Sequence, residues 1–238
     1  MEQKEKDTKY NRWAREIPTY ICMAFPFSLF LFVLFEMDKE RQDSIQWFLA
    51  KAVMWGAAIF PALFFLLRMI IRDFSSLIAD NLLFQWWGKY YLWPRFMYRI
   101  FLKEGTCISD NSMKEIKNNL SKKGFKLDDC KNDEKKRIIK EIIEYIKNST
   151  RDDGIVFEYN IFYGFYRNMV GGLFLINLLF YFLSFLDFNL TNNLKTEIST
   201  IHLIIWALFG ICLFFMYYSD YKYAVKMIYY YLTIKDKQ

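Results

Sequence analysis

Few residues in this chain are arranged for chemistry, and those few gather just before its third apolar run. Thr150-Arg151-Asp152-Asp153 is followed by Glu158-Tyr159-Asn160 and then by Tyr163-Gly164-Phe165-Tyr166-Arg167-Asn168. Carboxylates and guanidiniums at these spacings can pair, Glu158 with Arg167 or with Arg151. The rings of Tyr163, Phe165 and Tyr166 suit a boundary that is apolar on one side and wet on the other. Gly164 gives the chain a place to turn into the run. Two uses fit the segment: a topological anchor, or an element that couples a soluble segment to a membrane. The remaining carboxylate pairs, Asp128-Asp129 and Asp152-Asp153, lie near lysine or arginine and read as solvated turns.

The usual catalytic signatures are missing from the sequence. It has no phosphate-cradling glycine loop, no zinc-protease helix motif and no nucleophile elbow. The single histidine, His202, lacks the nearby arginine that a ribonuclease of the HEPN type requires; it reads as a boundary residue near Asp187 or, as the alternative, a pore or proton-sensing group. Cys22, Cys107, Cys130 and Cys212 show no paired spacing, which suits a reducing compartment and argues against zinc. The expectation is a protein without cofactor or metal, and not an enzyme.

The elements that must position these residues are four apolar runs: Ile17–Met37, Trp47–Ile71, Met169–Phe188 and Ile201–Tyr218. A bilayer core needs roughly 20 apolar residues in a helix, and lipid offers no partner to an unpaired peptide group. The runs predict an all-α, four-helix transmembrane protein made of two helical hairpins. A small helical cytoplasmic domain is expected between spans two and three. The predicted divisions are a cytoplasmic N-terminus (1–16), hairpin 1 (17–71), an interfacial elbow with a helical domain (72–168), hairpin 2 (169–218) and a tail helix (219–238). No cleavable signal is expected, because no small-residue cleavage site follows the first run.

Lys and Arg set the orientation. Lys4, Lys6, Lys9, Arg12 and Arg15 precede the first run, most of the 32 basic residues lie in the middle, and the tail adds Lys222, Lys226, Lys235 and Lys237. Both termini and the middle are therefore expected in the cytoplasm. The net charge of +6 needs no nucleic acid to explain it, since anionic lipid heads attract the same residues. Direct nucleic-acid binding is disfavoured.

Within this frame, Pro26 and Pro61 predict kinks, either for packing or as a hinge. Residues 84–102 read as an interfacial elbow anchored by Trp86, Trp87 and Trp93, with Lys89, Arg95 and Arg99 reaching phosphates. Gly171, Gly172 and Gly210 let helices approach closely. Asn177, Tyr181 and Ser184 fall on one face of span three, as a packing strip or the lining of an oligomeric pore. In the middle segment, Ser112–Lys123 predicts a helix ended by Gly124. Asp133–Lys147 predicts another, capped by Asp133 and carrying Ile138, Ile139, Ile142, Ile143 and Ile146 on one face. That face must be covered by the elbow, by the span ends or by another subunit. The tyrosine-rich tail from Asp220 to Ile234 is either a packing helix or a docking helix.

Together with Arg72-Asp73 and Trp87-Gly88-Lys89, the segment before span three resembles a family of uncharacterised bacterial four-span membrane proteins. That family carries W-G-G-x-P-T after span two and R-D…E-N…Y-G-F-x-R-N before span three. Here the first element reads W-W-G-K-Y-Y, without the second glycine or the P-T, and the Glu–Asn spacing carries an extra tyrosine. Members often neighbour antiviral defence genes. The resemblance implies a homo-oligomeric inner-membrane effector that perturbs the bilayer or forms a pore. The alternative is a membrane-anchored sensor or regulatory subunit, docking a soluble defence protein through the isoleucine helix and the tyrosine tail. A membrane enzyme or transporter is a third, weaker reading.

Overall fold

The computed structural model describes residues 2–24, 65–78, 96–102, 108–125, 132–151, 153–185 and 192–235. The fold is all-α, with no strand among the described residues. Pro26, Pro61, Trp86, Trp87, Lys89, Trp93, Arg95 and Asp152 lie outside the described residues, as do the side chains of Arg99 and Ser184.

The chain begins as helix α1 (Glu2–Tyr10), widens into a π-helical turn (Asn11–Glu16) and continues as α2, residues 17–24. Residues 65–76 form α3, followed by α4 (Phe96–Leu102), α5 (Asp110–Lys122), α6 (Asn132–Ser149), α7 (Gly154–Phe185) and α8 (Asn192–Lys235). The chain divides into two compact units. The first holds Met1–Leu82 and Gly164–Phe214, and the second holds Leu83–Tyr163 and Phe215–Gln238. Both α7 and α8 contribute residues to each.

The second unit is built as a water-soluble domain is built. Ser109 caps α5 in extended backbone, its hydroxyl accepting from the Ser112 amide at 3.2 Å. At the other end Gly124 takes φ +93°, so that the Phe125 amide reaches the Leu120 carbonyl and the Gly124 amide that of Ser121, both at 3.0 Å. This is the glycine C-terminal motif expected there, and only glycine adopts that φ without strain. Helix α6 starts at Asn132, one residue before the expected cap, so Asp133 lies inside the helix.

The isoleucine face is real and fully covered: Ile139, Ile142 and Ile146 are wholly buried, with Ile138 and Ile143 flanking them. Their cover includes Met113, Ile116 and Leu120 of α5, the start of α7 at Val156, and the far end of α8. There Ala224, Met227, Ile228 and Tyr231 recur at helical spacing and turn one face into the same core. The tyrosine tail is thus a core helix. Tyr145 stands edge-on to Tyr231 with ring centroids 6.2 Å apart, and meets Phe125 at 5.7 Å. The faces expected to dock a soluble partner are occupied by one another.

Two further joints tie the second unit together. Asp153 caps α7, its Oδ1 accepting from the Val156 amide at 2.8 Å. This member of the aspartate pair has a structural job that a solvated turn would not require. Asp220, buried on α8, accepts from the Phe96 amide at 3.2 Å and so caps α4 from 124 residues away in sequence. The Phe96 ring lies between Tyr217 (4.8 Å) and Tyr221 (5.0 Å).

The first unit follows another pattern. Ala14, Thr19, Cys22, Ser75, Asn168 and Asn177 are buried there, while Leu203 and Phe214 are 72% and 62% exposed. Among the described residues, one stretch, Ser199–Ile234 of α8, is long and apolar enough to cross a membrane; residues 199–214 of it belong to the first unit and the rest to the second.

Candidate functional site

The segment singled out by sequence, residues 151–168, folds mostly as helix. Helix α7 is unbroken from Gly154 to Phe185, so Gly164 makes no turn. Its missing side chain serves close approach instead. A Cβ at Gly164 would stand 2.9 Å from both the Ala14 Cβ and the Tyr10 Oη, closer than such atoms come. The expectation of a turn at Gly164 failed because the following residues continue the helix, and a single glycine costs an otherwise apolar helix only about 1 kcal/mol.

Gly164, Asn168 and Gly172 recur every four residues and form one ridge of α7. Opposite them stand Ala14 and Cys22, eight residues apart. A Cβ at Gly172 would lie 3.1 Å from that of Cys22. Gly171 turns to the other neighbour, α3, where an added Cβ would meet the Ser75 Cα at 2.7 Å. Helix α7 therefore touches backbone-close partners on two sides, through adjacent glycines. Phe74 and Phe174 stack beside this contact with centroids 6.2 Å apart. The buried hydroxyls at the seam are satisfied within their own helices: Thr19 donates to the Arg15 carbonyl at 2.8 Å, and Ser75 donates to that of Ile71.

The central contact of the seam is a hydrogen bond from the Asn168 Nδ2 to the Ala14 carbonyl. Its origin lies in the sequence four residues on. Pro18 has no N–H to give to Ala14, and its ring crowds the preceding turn. The helix responds by widening: the Ile17 amide donates to the Arg12 carbonyl, five residues back. Asn168 then supplies a donor to the exposed carbonyl from a different helix. In an apolar setting this is how a proline-opened helix is re-satisfied. Pro18 was the available signal for this arrangement, but at the start of an apolar run it reads first as an ordinary helix-opening proline.

Charged groups surround the contact. The Glu16 Oε1 accepts from the Arg68 Nη1 at 3.2 Å. The Arg15 Nη1 donates to the Asn11 Oδ1 at 2.9 Å, and its guanidinium lies 5.4 Å from the centre of the Tyr10 ring. Arg72 pairs with Asp73 at 2.9 Å on an exposed surface.

The structure separates the remaining candidates. Arg151 and Glu158 are exposed in the second unit, and among the described residues no ion pair joins them; Asn160 is half-buried there and Tyr163 buried. Arg167 is half-buried and Asn168 buried in the first unit. The polar strip of span three is split: Asn177 is buried with neither amide atom partnered, while Tyr181, one turn on, is 68% exposed. Among the described residues nothing lies within 4 Å of a Cβ added at Gly210, so it packs against none of them. His202 accepts at Nε2 from the Trp206 indole at 3.1 Å. No group of three or more His, Cys, Asp or Glu side chains is placed to hold a metal among the described residues.

The arrangement is thus a small-residue helix seam with one interhelical amide contact and an arginine-rich margin. No protein-family model, no curated protein and no solved structure gives a significant match to this chain.

Proposed function

We propose that this chain is a four-span inner-membrane protein with both termini and the middle segment in the cytoplasm, and that it acts as a homo-oligomeric effector of bacterial antiviral defence by perturbing the membrane on activation. The observation that carries the reading is the burial pattern of the first unit. Leu203, Ile204, Trp206, Ile211 and Phe214 of α8 point outward, while glycines, serine, threonine and asparagine are buried alongside Ile71, Val170, Leu173 and Ile205. Lipid removes the reward for burying apolar bulk, so packing falls to small residues and interhelical hydrogen bonds. The π-helical turn opposite Asn168 gives the seam a second packing. Closing that turn into regular α-helix shifts the register of α2 against α7, and a register shift among spans is a way to open a leak.

A docking role for a soluble defence protein has less support, since the isoleucine and tyrosine faces are buried in the second unit's own core. Any such partner would bind the charged outer face of α6, where Arg137, Glu141 and Glu144 are exposed.

The test is controlled expression in bacterial cells, with a potential-sensitive dye and an impermeant DNA stain recorded together during phage infection. The reading expects depolarisation or stain uptake that depends on the protein and on infection. Unchanged potential under infection, with the protein present in the membrane fraction, would sink it.

A further inference from the structure

We propose that the arginine-rich margin of the seam binds the phosphate of an anionic phospholipid, with Arg15 and Arg167 as its principal ligands. The inference rests on the membrane reading above.

Arg15 follows Ala14 directly, and Arg167 precedes Asn168, so the Asn168–Ala14 hydrogen bond brings the backbones that carry both arginines together. Arg68 joins the same margin through its ion pair with Glu16. Arg12 lies about one turn before Arg15. Arg12, Arg15, Arg68 and Arg167 thus attach near one contact, where Glu16 accepts from Arg68 and Asp73 is taken by Arg72. Arg15 is half-buried, and its Nε is sealed from solvent with no hydrogen-bond partner. That nitrogen is closed to solvent, so an anion would meet the outer Nη donors of the half-buried fork. The guanidinium fork matches a phosphate in geometry and charge.

The neighbouring side chains point to a lipid as the source of that phosphate. Trp13, Tyr20 and Ile21 are 50%, 51% and 42% exposed on the same helical stretch. Trp and Tyr favour the headgroup level, and an isoleucine beyond them suits acyl chains. A free phosphate ion would use the arginines and leave these rings without a role.

The test uses the full-length protein in a zwitterionic detergent, titrated with short-chain phosphatidylglycerol or phosphatidylcholine and read by native mass spectrometry. The wild type is expected to prefer phosphatidylglycerol by about tenfold or more, equivalent to ~1.4 kcal/mol. The Arg15→Gln/Arg167→Gln double variant is expected to lose that preference. Arg137→Gln, on the exposed face of α6, should keep it. Arg15→Lys, which keeps the charge but not the fork, should retain part of it and guards against a folding artefact in the double variant. Equal binding of the two lipids by the wild type would overturn the proposal, as would a double variant that still selects phosphatidylglycerol. Displacement of the lipid by millimolar inorganic phosphate would overturn the lipid assignment in favour of a free-anion site. A protein that never enters the membrane fraction would fail the membrane reading itself, which is a separate outcome.

Discussion

Ile116, Leu120, Ile139, Ile142 and Ile146 of the second unit are wholly buried, whereas Leu203, Trp206, Ile211 and Phe214 of the first are about half exposed or more. Beside buried apolar residues such as Ile71, Val170, Leu173 and Ile205, the first unit also buries small and polar ones: Gly171 and Gly172, Ser75 and Thr19, Asn168 and Asn177. The two units differ in what they leave outside and in how much small and polar surface they bury. In water, apolar area removed from solvent stabilises by roughly 25 cal/mol per Å², so bulk goes inside. In lipid that gain vanishes and close backbone contact takes over. The contrast is what the proposed membrane setting of the first unit would produce.

The contrast can be broken by swapping the kind of substitution between units, and the largest effect is expected in the second. Ile142→Ala leaves a hole in a dry core and should cost roughly 2–5 kcal/mol, read as a drop in unfolding temperature of the full chain. Leu203→Ala in detergent should change stability by less than about 0.5 kcal/mol. If Leu203→Ala proves as damaging as Ile142→Ala, the outward face of α8 is covered by something other than lipid.

Overpacking tests the first unit from the other side. Gly171→Leu must displace the Ser75 backbone, and an effect of about 1–3 kcal/mol is expected, seen as loss of a single symmetric peak in size exclusion. Gly210→Leu adds the same volume into open space and should elute as the wild type does. Equal behaviour of the two glycines would remove the seam from the account.

A smaller effect sharpens the role of Asn168. Asn168→Ala should cost about 1 kcal/mol, since it removes one interhelical hydrogen bond. In a Pro18→Ala background the restored amide can serve the Ala14 carbonyl, so the cost of Asn168→Ala should shrink. A thermal-shift double-mutant cycle reads that coupling; additive losses would show that the two residues act independently. Asp153→Ala, which removes the α7 cap, should cost ~1 kcal/mol in the second unit and leave lipid preference untouched.

Much of the second unit was legible in the sequence because its signals are local. The isoleucine face of α6 follows helical period, and Lys122-Lys123-Gly124 spells a helix end that needs no partner. Gly171-Gly172 announced close packing, though not which helix each would meet. The misses are long-range. Asp220 looks like an unremarkable carboxylate after an apolar run, and only the fold brings it to the Phe96 amide. Asn168 is one polar residue among aromatics until Pro18 has opened a carbonyl opposite it. The tyrosine tail showed a helical pattern, but period alone cannot say whether a face meets its own chain or another. Gly164 misled because a glycine suits a turn and a tight helix crossing equally well.

The most direct test of the central claim is the solvent of α8. Nitroxide labels placed singly at Leu203, Ile211 and Phe214 in a cysteine-free background, reconstituted in bilayers, would report collision with oxygen and with a water-soluble nickel chelate. High oxygen and low nickel accessibility at all three positions is the expected result. Strong nickel collisions at these positions would place the apolar face of α8 in water and contradict the account.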